Sequence, residues 1–198
     1  MHLIGTIKTV QIQKSPLKSG EGTNRVYSAA PIAHIHALRL TSRGVIGLDI
    51  DDHTIMDVHH IDHPQSRNRG NANGISVGFA SSYKRMQVRF QNDLSEGYAG
   101  ENIIIQQADD FSIDLLHTDL IIECQFTGTC IRLHDLMIAA PCEPFSQFVN
   151  QREVRGAELK ETLQFLSDGT RGFYATLDLN QVEPVIRPGD KIYAVLED

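Results

Sequence analysis

Cysteine is scarce in this chain of 198 residues: there are three, at positions 124, 130 and 142. So small and odd a number makes no disulfide framework, and a reducing compartment, the cytoplasm, is the simplest setting for free thiols. Long apolar runs are missing as well, and none approaches the ~20 residues of a membrane span. The opening residues, Met1-His2-Leu3-Ile4-Gly5-Thr6, lack the charged-then-apolar order of a signal peptide and read as a first strand. An excess of positive charge is also absent. With 18 basic and 25 acidic residues, the net charge is -7, so neither a nucleic-acid nor a membrane partner is expected.

What is present is ordinary for a folded chain: 41% hydrophobic and 22% charged residues. The length suits one domain, residues 1–198, with a substantial core. Leu3 to Gln13 alternates, with Ile4, Val10 and Ile12 as inward positions, and predicts a strand. Lys14 to Asn24 is rich in Ser, Gly, Lys and Pro and reads as a loop. Ile32 to Leu40 predicts a strand with Ile32, His34, His36, Leu38 and Leu40 on one face, and Val45 to Ile50 predicts another. Residues 51–63, DDHTIMDVHHIDH, and 64–74, almost wholly polar, read as solvated loops. Phe79, Tyr83, Met86 and Phe90 recur at helical spacing and predict a helix over 79–91.

Strand signals return at Asn102 to Gln106, Leu120 to Phe126 and Thr129 to Ile138, with Thr127-Gly128 as a hairpin turn between the last two. Short helices are expected after Cys142 and over Ala157 to Ser167, the second stopping near Gly169. Phe173 to Leu179 and Lys191 to Leu196 complete the strands. Many short strands, few helices and no βαβ alternation predict a mainly antiparallel β-barrel with two or three peripheral helices.

Cys142 is the leading candidate for chemistry. Pro141 and Pro144 donate no backbone hydrogen bond, so this stretch leaves the sheet near a strand end. Arginines at 152, 155 and 171 are available to approach the sulfur or an anion beside it, while Glu143 opposes a thiolate. The alternative is a small buried hydrophobe. Cys124 and Cys130, inside predicted strands, are expected in the core, and the three spacings match no zinc knuckle. The Asp/His tract from Asp49 to His63 offers divalent-metal ligands in no recognised motif, and a solvated loop is the expected account. Asn102 is either turn chemistry or an amide at a barrel mouth that holds a ligand. Gly189-Asp190 reads as a turn. Arg171-Gly172-Phe173-Tyr174 either places a guanidinium beside a ligand or carries a surface arginine.

Taken in order, Gly100-Glu101-Asn102-Ile103, Pro141-Cys142, Arg171-Gly172-Phe173-Tyr174 and Pro188-Gly189-Asp190 resemble the MOSC domain, named for the C-terminal part of molybdenum cofactor sulfurases. These tracts span residues 100–198. Further upstream, Gly44-Val45-Ile46-Gly47 followed by Asp49 is similar to the family's early glycine-glycine-aspartate turn, with Leu48 inserted before the acid. DVHHIDHPQSRNRG stands near the place of its histidine-glycine tract. The resemblance implies a β-barrel that handles the molybdenum cofactor, an anionic pterin with a phosphate, or sulfur destined for a metal-sulfur centre. It implies Cys142 as molybdenum ligand or persulfide carrier, with Asn102, Arg155, Arg171 and Tyr174 as cofactor-binding candidates. Some family members reduce N-hydroxylated compounds with electrons from separate redox partners. A reductase here needs an electron-donor protein, since the chain has no four-cysteine cluster motif; a carrier needs an enzyme that accepts sulfur or cofactor.

Overall fold

The computed structural model describes residues 1–22, 24–68, 74–108, 116, 119–177 and 183–195. The elements are β1 (His2–Gln13), β2 (Lys18–Ser19), β3 (Val26–Tyr27), β4 (Ile32–His34), β5 (Ala37–Thr41), β6 (Gly44–Leu48), β7 (Thr54–Met56), β8 (Ile75–Phe79), α1 (Ala80–Phe90), β9 (Ile103–Gln107), β10 (Leu120–Glu123), β11 (Cys130–Ile138), α2 (Glu143–Asn150), α3 (Gly156–Leu166), β12 (Phe173–Leu177), β13 (Val185–Ile186) and β14 (Lys191–Ala194). Seven strands close on themselves in the order β14-β10-β11-β12-β8-β9-β1, and β1 returns to β14. Strands β13, β5, β6 and β7 form a second small sheet, β4 pairs with the far end of β1, and β2 pairs with β3.

The barrel is mainly antiparallel but mixed. Strands β8 and β9 run parallel, Val77 facing Ile103 and Phe79 facing Ile105. A parallel pair needs a long crossover, and α1 supplies it. Thus one βαβ unit sits inside a sequence that otherwise lacks that alternation.

Strand β1 holds its inward face through two bulges. Its register slips between Leu3 and Gly5 against β14, and between Ile7 and Thr9 against β9. Each slip admits one extra residue, which lets Ile4, Ile7, Val10 and Ile12 all reach the core despite their odd spacing. The predicted single strand over Ile32 to Leu40 is broken instead: Ile35 and His36 turn their N–H groups to Val10 O and Leu48 O, and His34 and His36 are exposed. Ile50 lies outside β6 and is exposed. Residues 178–179 and 196 of the predicted final strands, and 69–73 of the predicted polar loop, lie outside the described residues.

Two cores result. Ile75, Val77 and Phe79 of β8, Ile103 and Ile105 of β9, and Phe173, Ala175 and Leu177 of β12 fill the barrel interior. The alternate residue Ile104 points outward into a second cluster with Leu17, Tyr27, Tyr83, Met86, Phe145, Val149 and Leu166. This layer fastens α1, α2 and the β2–β3 hairpin to the outer barrel wall. Tyr27 anchors it, with its ring 5.1 Å from those of Phe145 and Phe148. Each such fully buried side chain contributes roughly 1.5–3 kcal/mol.

At the meeting of β8, β9 and β12 the outer wall carries Gly78 and Gly172. A Cβ at 78 would lie 2.5 Å from Glu101 Oε1; one at 172 would lie 2.6 Å from the Val77 carbonyl oxygen and 3.2 Å from Glu101 Cγ. Gly172 also has φ +103°, which an L side chain resists. Gly172→Ala is therefore expected to cost about 3 kcal/mol, and Gly78→Ala, which displaces a side chain, about 1–2 kcal/mol. Urea denaturation of the two variants checks this order, and an equal or reversed loss would contradict it.

Candidate functional site

Residues from five segments converge on that outer wall. Two glutamines of β1 clamp the turn before β9: Gln11 Nε2 donates to Gly97 O and Glu101 O, at 2.8 and 2.7 Å, and Gln13 Nε2 donates to Gly100 O at 2.6 Å. Asp57 locks the Asp/His tract to the same place. Fully buried, it accepts from Gln13 N at 2.7 Å, Asn102 Nδ2 at 3.0 Å, and both the backbone N–H and the ring Nδ1 of His59, at 2.8 and 3.0 Å. A wholly solvated loop is therefore the wrong picture of residues 51–63. The tract also carries β7, and His60 is buried. The ligand atoms of Asp49, Asp51 and His53 lie within 4.8 Å of one another, at the partly exposed turn between β6 and β7.

Asn102 is 1% exposed. Its Oδ1 accepts from Ser76 N and Oγ, at 3.1 and 2.8 Å, and its Nδ2 donates to Gln11 O and Asp57. With both amide atoms engaged inside the protein, Asn102 fastens β8, β1 and the Asp/His tract together and offers nothing outward. Arg155 is the N-cap residue of α3, exposed and ion-paired with Glu153, and lines neither of the two cavities described below. These two cofactor-binding expectations are thus not supported by the geometry.

Arg171 and Tyr174 do reach a cavity, of about 160 Å³, together with Glu101, Lys18, Tyr27 and His59. Arg171 is 8% exposed. Its Nη1 donates to Ala140 O at 3.0 Å, its Nη2 to Ala99 O at 3.4 Å, and its guanidinium lies 5.4 Å from the Phe145 ring centre. Burial works to lower its pKa, but nearby Tyr174, Tyr27, Cys142 and Glu101 raise it. Glu101 accepts a 2.6 Å hydrogen bond from Tyr83 OH, and that hydroxyl accepts one from Ala99 N. Removal from water lifts the Glu101 carboxyl to about 7, against the downward pull of the Tyr83 hydrogen bond and the Arg171 charge.

Cys142 stands on the other side of Tyr27. It is half-buried, is the N-cap residue of α2, and its carbonyl accepts from Ser146 N at 3.0 Å. It lines a groove of about 1080 Å³ with Tyr98, Phe148, Lys18, Arg25 and Arg152. Cys142 is near enough to Tyr27 and Arg171 to bear on the charge state of both. Cys124 is buried as expected, but Cys130 is exposed, since it starts β11 beyond the hairpin turn. Asp190 bears out the turn reading, accepting from Arg187 N at 2.8 Å and Gln125 N at 2.9 Å.

Sequence reasoning placed Glu101 in a motif without assigning it a task, named Asp57 and His59 only within a solvated tract of possible metal ligands, and missed Tyr27 and Lys18. One signal was available: Glu101 directly precedes the apolar strand, where a carboxylate without a partner is costly.

No family model matches the sequence, and no curated protein matches it. The fold does find counterparts. Among the described residues, seven strands close the barrel and three helices flank it, a MOSC-like fold. The YuaD protein from Bacillus subtilis superposes with a TM-score of 0.56 at 11% identity, over 96% of this chain and 94% of that one. YiiM from Geobacillus stearothermophilus gives 0.53 at 15% identity, over 98% of this chain and 75% of that one. At these identities the likeness establishes the fold. Among the described residues, no helix is long and apolar enough to cross a membrane.

The raised Glu101 pKa carries a sign. Its contribution to stability is full below about 4.5, its ordinary value, and is lost as pH rises through about 7. Between pH 5 and 8 the wild type should lose on the order of 2–3 kcal/mol relative to Glu101→Gln. Urea titrations of both proteins across that range measure the difference, and a constant gap would refute the assignment.

Proposed function

We propose that this chain binds the molybdenum cofactor with the Cys142 thiolate as metal ligand, and serves as the molybdenum component of a reductase of N-hydroxylated compounds. The observation that carries this reading is the position of Cys142. Its side chain is half-buried on the wall of a groove of about 1080 Å³, with Tyr27 and Arg171 close by. A soft thiolate is the ligand type that molybdenum takes. The groove's charge is uneven. Lys18 and Arg25 flank the β2–β3 hairpin, while Asp93, Glu143 and Glu153 also line the groove. An anionic pterin phosphate therefore fits the Lys18 and Arg25 side, and Tyr98 and Phe148 offer faces for a flat ring system.

Bound there, the cofactor supplies two-electron redox chemistry. The chain's own contribution is placement. The α2 cap fixes the Cys142 backbone, Arg171 holds a positive charge near its sulfur, and the packed rings of Tyr27, Phe145 and Phe148 keep water from that flank. Electrons come from a separate donor protein.

The partial exposure of Cys142 in an open groove also suits a second reading, a persulfide or cofactor carrier that hands its cargo to another enzyme. Protein produced with molybdate in cofactor-competent cells discriminates the two. Near-stoichiometric molybdenum and pterin, reduced to background in Cys142→Ala, is the expected result. Wild type without molybdenum, but with a persulfide at Cys142, would replace the first reading with the second.

A further inference from the structure

The smaller cavity is electrostatically unlike the rest of the molecule. In a chain of net charge -7, its walls hold Arg171, Lys18, Arg67 and His59 against one carboxyl group, Glu101. Its volume of about 160 Å³ corresponds to roughly five water molecules at ~30 Å³ each, room for a small polyatomic ion. Arg171 is buried and its Nε has no hydrogen-bond partner. The two acceptors of its Nη groups are neutral carbonyls, which satisfy donors without balancing charge. Of the groups that act on it most strongly, Tyr174, Tyr27, Cys142 and Glu101, Glu101 alone is a carboxyl. An under-compensated buried cation with an idle donor is costly, and an anion in the cavity relieves that cost.

Glu101 limits what can enter. It is held between Gly78 and Gly172 and tied to Tyr83, so it cannot swing away from an incoming anion. Ionised Glu101 and a second anion beside one guanidinium would repel each other in a dry site. A proton on Glu101 removes the conflict.

We propose that this cavity is a binding site for a small tetrahedral oxyanion, held by Arg171 with Lys18 and Arg67, and that Glu101 takes up a proton when the anion binds. The groups facing Glu101 are Tyr83 from α1, Tyr27 from β3, Arg171 from the turn before β12, and the glycine backbones of β8 and residue 172. The tyrosines stay neutral, since burial raises the pKa of both. Across the cavity stands His59, its ring bonded to Asp57. The site shares Lys18 and Tyr27 with the Cys142 groove, while Arg171, Arg67, His59 and Glu101 line it alone.

Sulfate is the probe, because it remains a dianion across the range examined. Isothermal titration calorimetry on the full chain between pH 6 and 9, in buffers of different ionisation enthalpy, reads affinity and proton uptake together. The molybdenum content of each preparation is recorded separately. The wild type is expected to take up a fraction of a proton approaching one, and to lose about tenfold in affinity per pH unit above neutrality. Glu101→Gln should bind sulfate with little pH dependence, His59→Ala should keep the wild-type dependence, and Arg171→Lys should weaken binding at least tenfold. Absent sulfate binding by the wild type, binding without proton uptake, or a dependence that vanishes in His59→Ala but persists in Glu101→Gln would each overturn the proposal. The proton count is taken on wild type, so a poorly folded Arg171→Lys does not shield the idea.

Discussion

The Glu101 carboxyl fills a hollow that exists because residues 78 and 172 lack side chains. Around this contact the outer wall of the barrel is organised. Tyr83 reaches down from α1 to one carboxyl oxygen, Ala99 donates to the same tyrosine, and Arg171 bonds Ala99 and Ala140 to bridge the turns before β9 and α2. A polar group in this setting is tolerable only when its partners are all in place. The two glycines are therefore as much part of the site as the charged residues.

The barrel separates two jobs that a small protein often combines. Its interior is filled by aliphatic side chains and Phe79 and Phe173, and serves stability. The outer wall, with outward-facing Ser76, Gly78, Asn102 and Ile104, is roofed by α1, α2 and the β2–β3 hairpin, and carries the cavities. Tyr27 divides the roofed space. On one side lies the open groove with Cys142, on the other the smaller, cation-rich cavity with Arg171 and Glu101. A thiol in a wide groove and a guanidinium in a narrow hollow share a wall but face different chemistry.

Much of this was legible in residue patterns. Helix α1 followed from Tyr83 and Met86, the hairpin from Thr127-Gly128, and the end of α3 from Gly169. Cys142 at a strand end followed from its flanking prolines. What failed did so for identifiable reasons. The parallel β8–β9 pair was invisible because a lone crossover helix leaves no alternation to count. Strand continuity from Ile32 to Leu40 was misjudged because period-two patterning does not show that the chain changes partner from β1 to β6 near Ile35. Asp57 was assigned to solvent on composition, although its acceptors are consumed by Gln13, Asn102 and His59, all remote in sequence or set by the local turn. Asn102 and Arg155 illustrate the same limit in reverse. A polar residue in a suggestive motif discloses nothing about whether its hydrogen bonds point inward, as in Asn102, or into solvent, as in Arg155.

Strand β14 is the seam of the barrel. It lies between β1 and β10, hydrogen-bonded to both, with Ala194 opposite His2 on one side and Leu120 on the other. Peeling away these few residues would unzip the cylinder into an open sheet with two raw margins, one of them the long β1. Both would present unpaired backbone to any neighbouring molecule, the usual starting point for edge-to-edge aggregation. The durability of the whole barrel in storage or on heating thus rests on a four-residue strand.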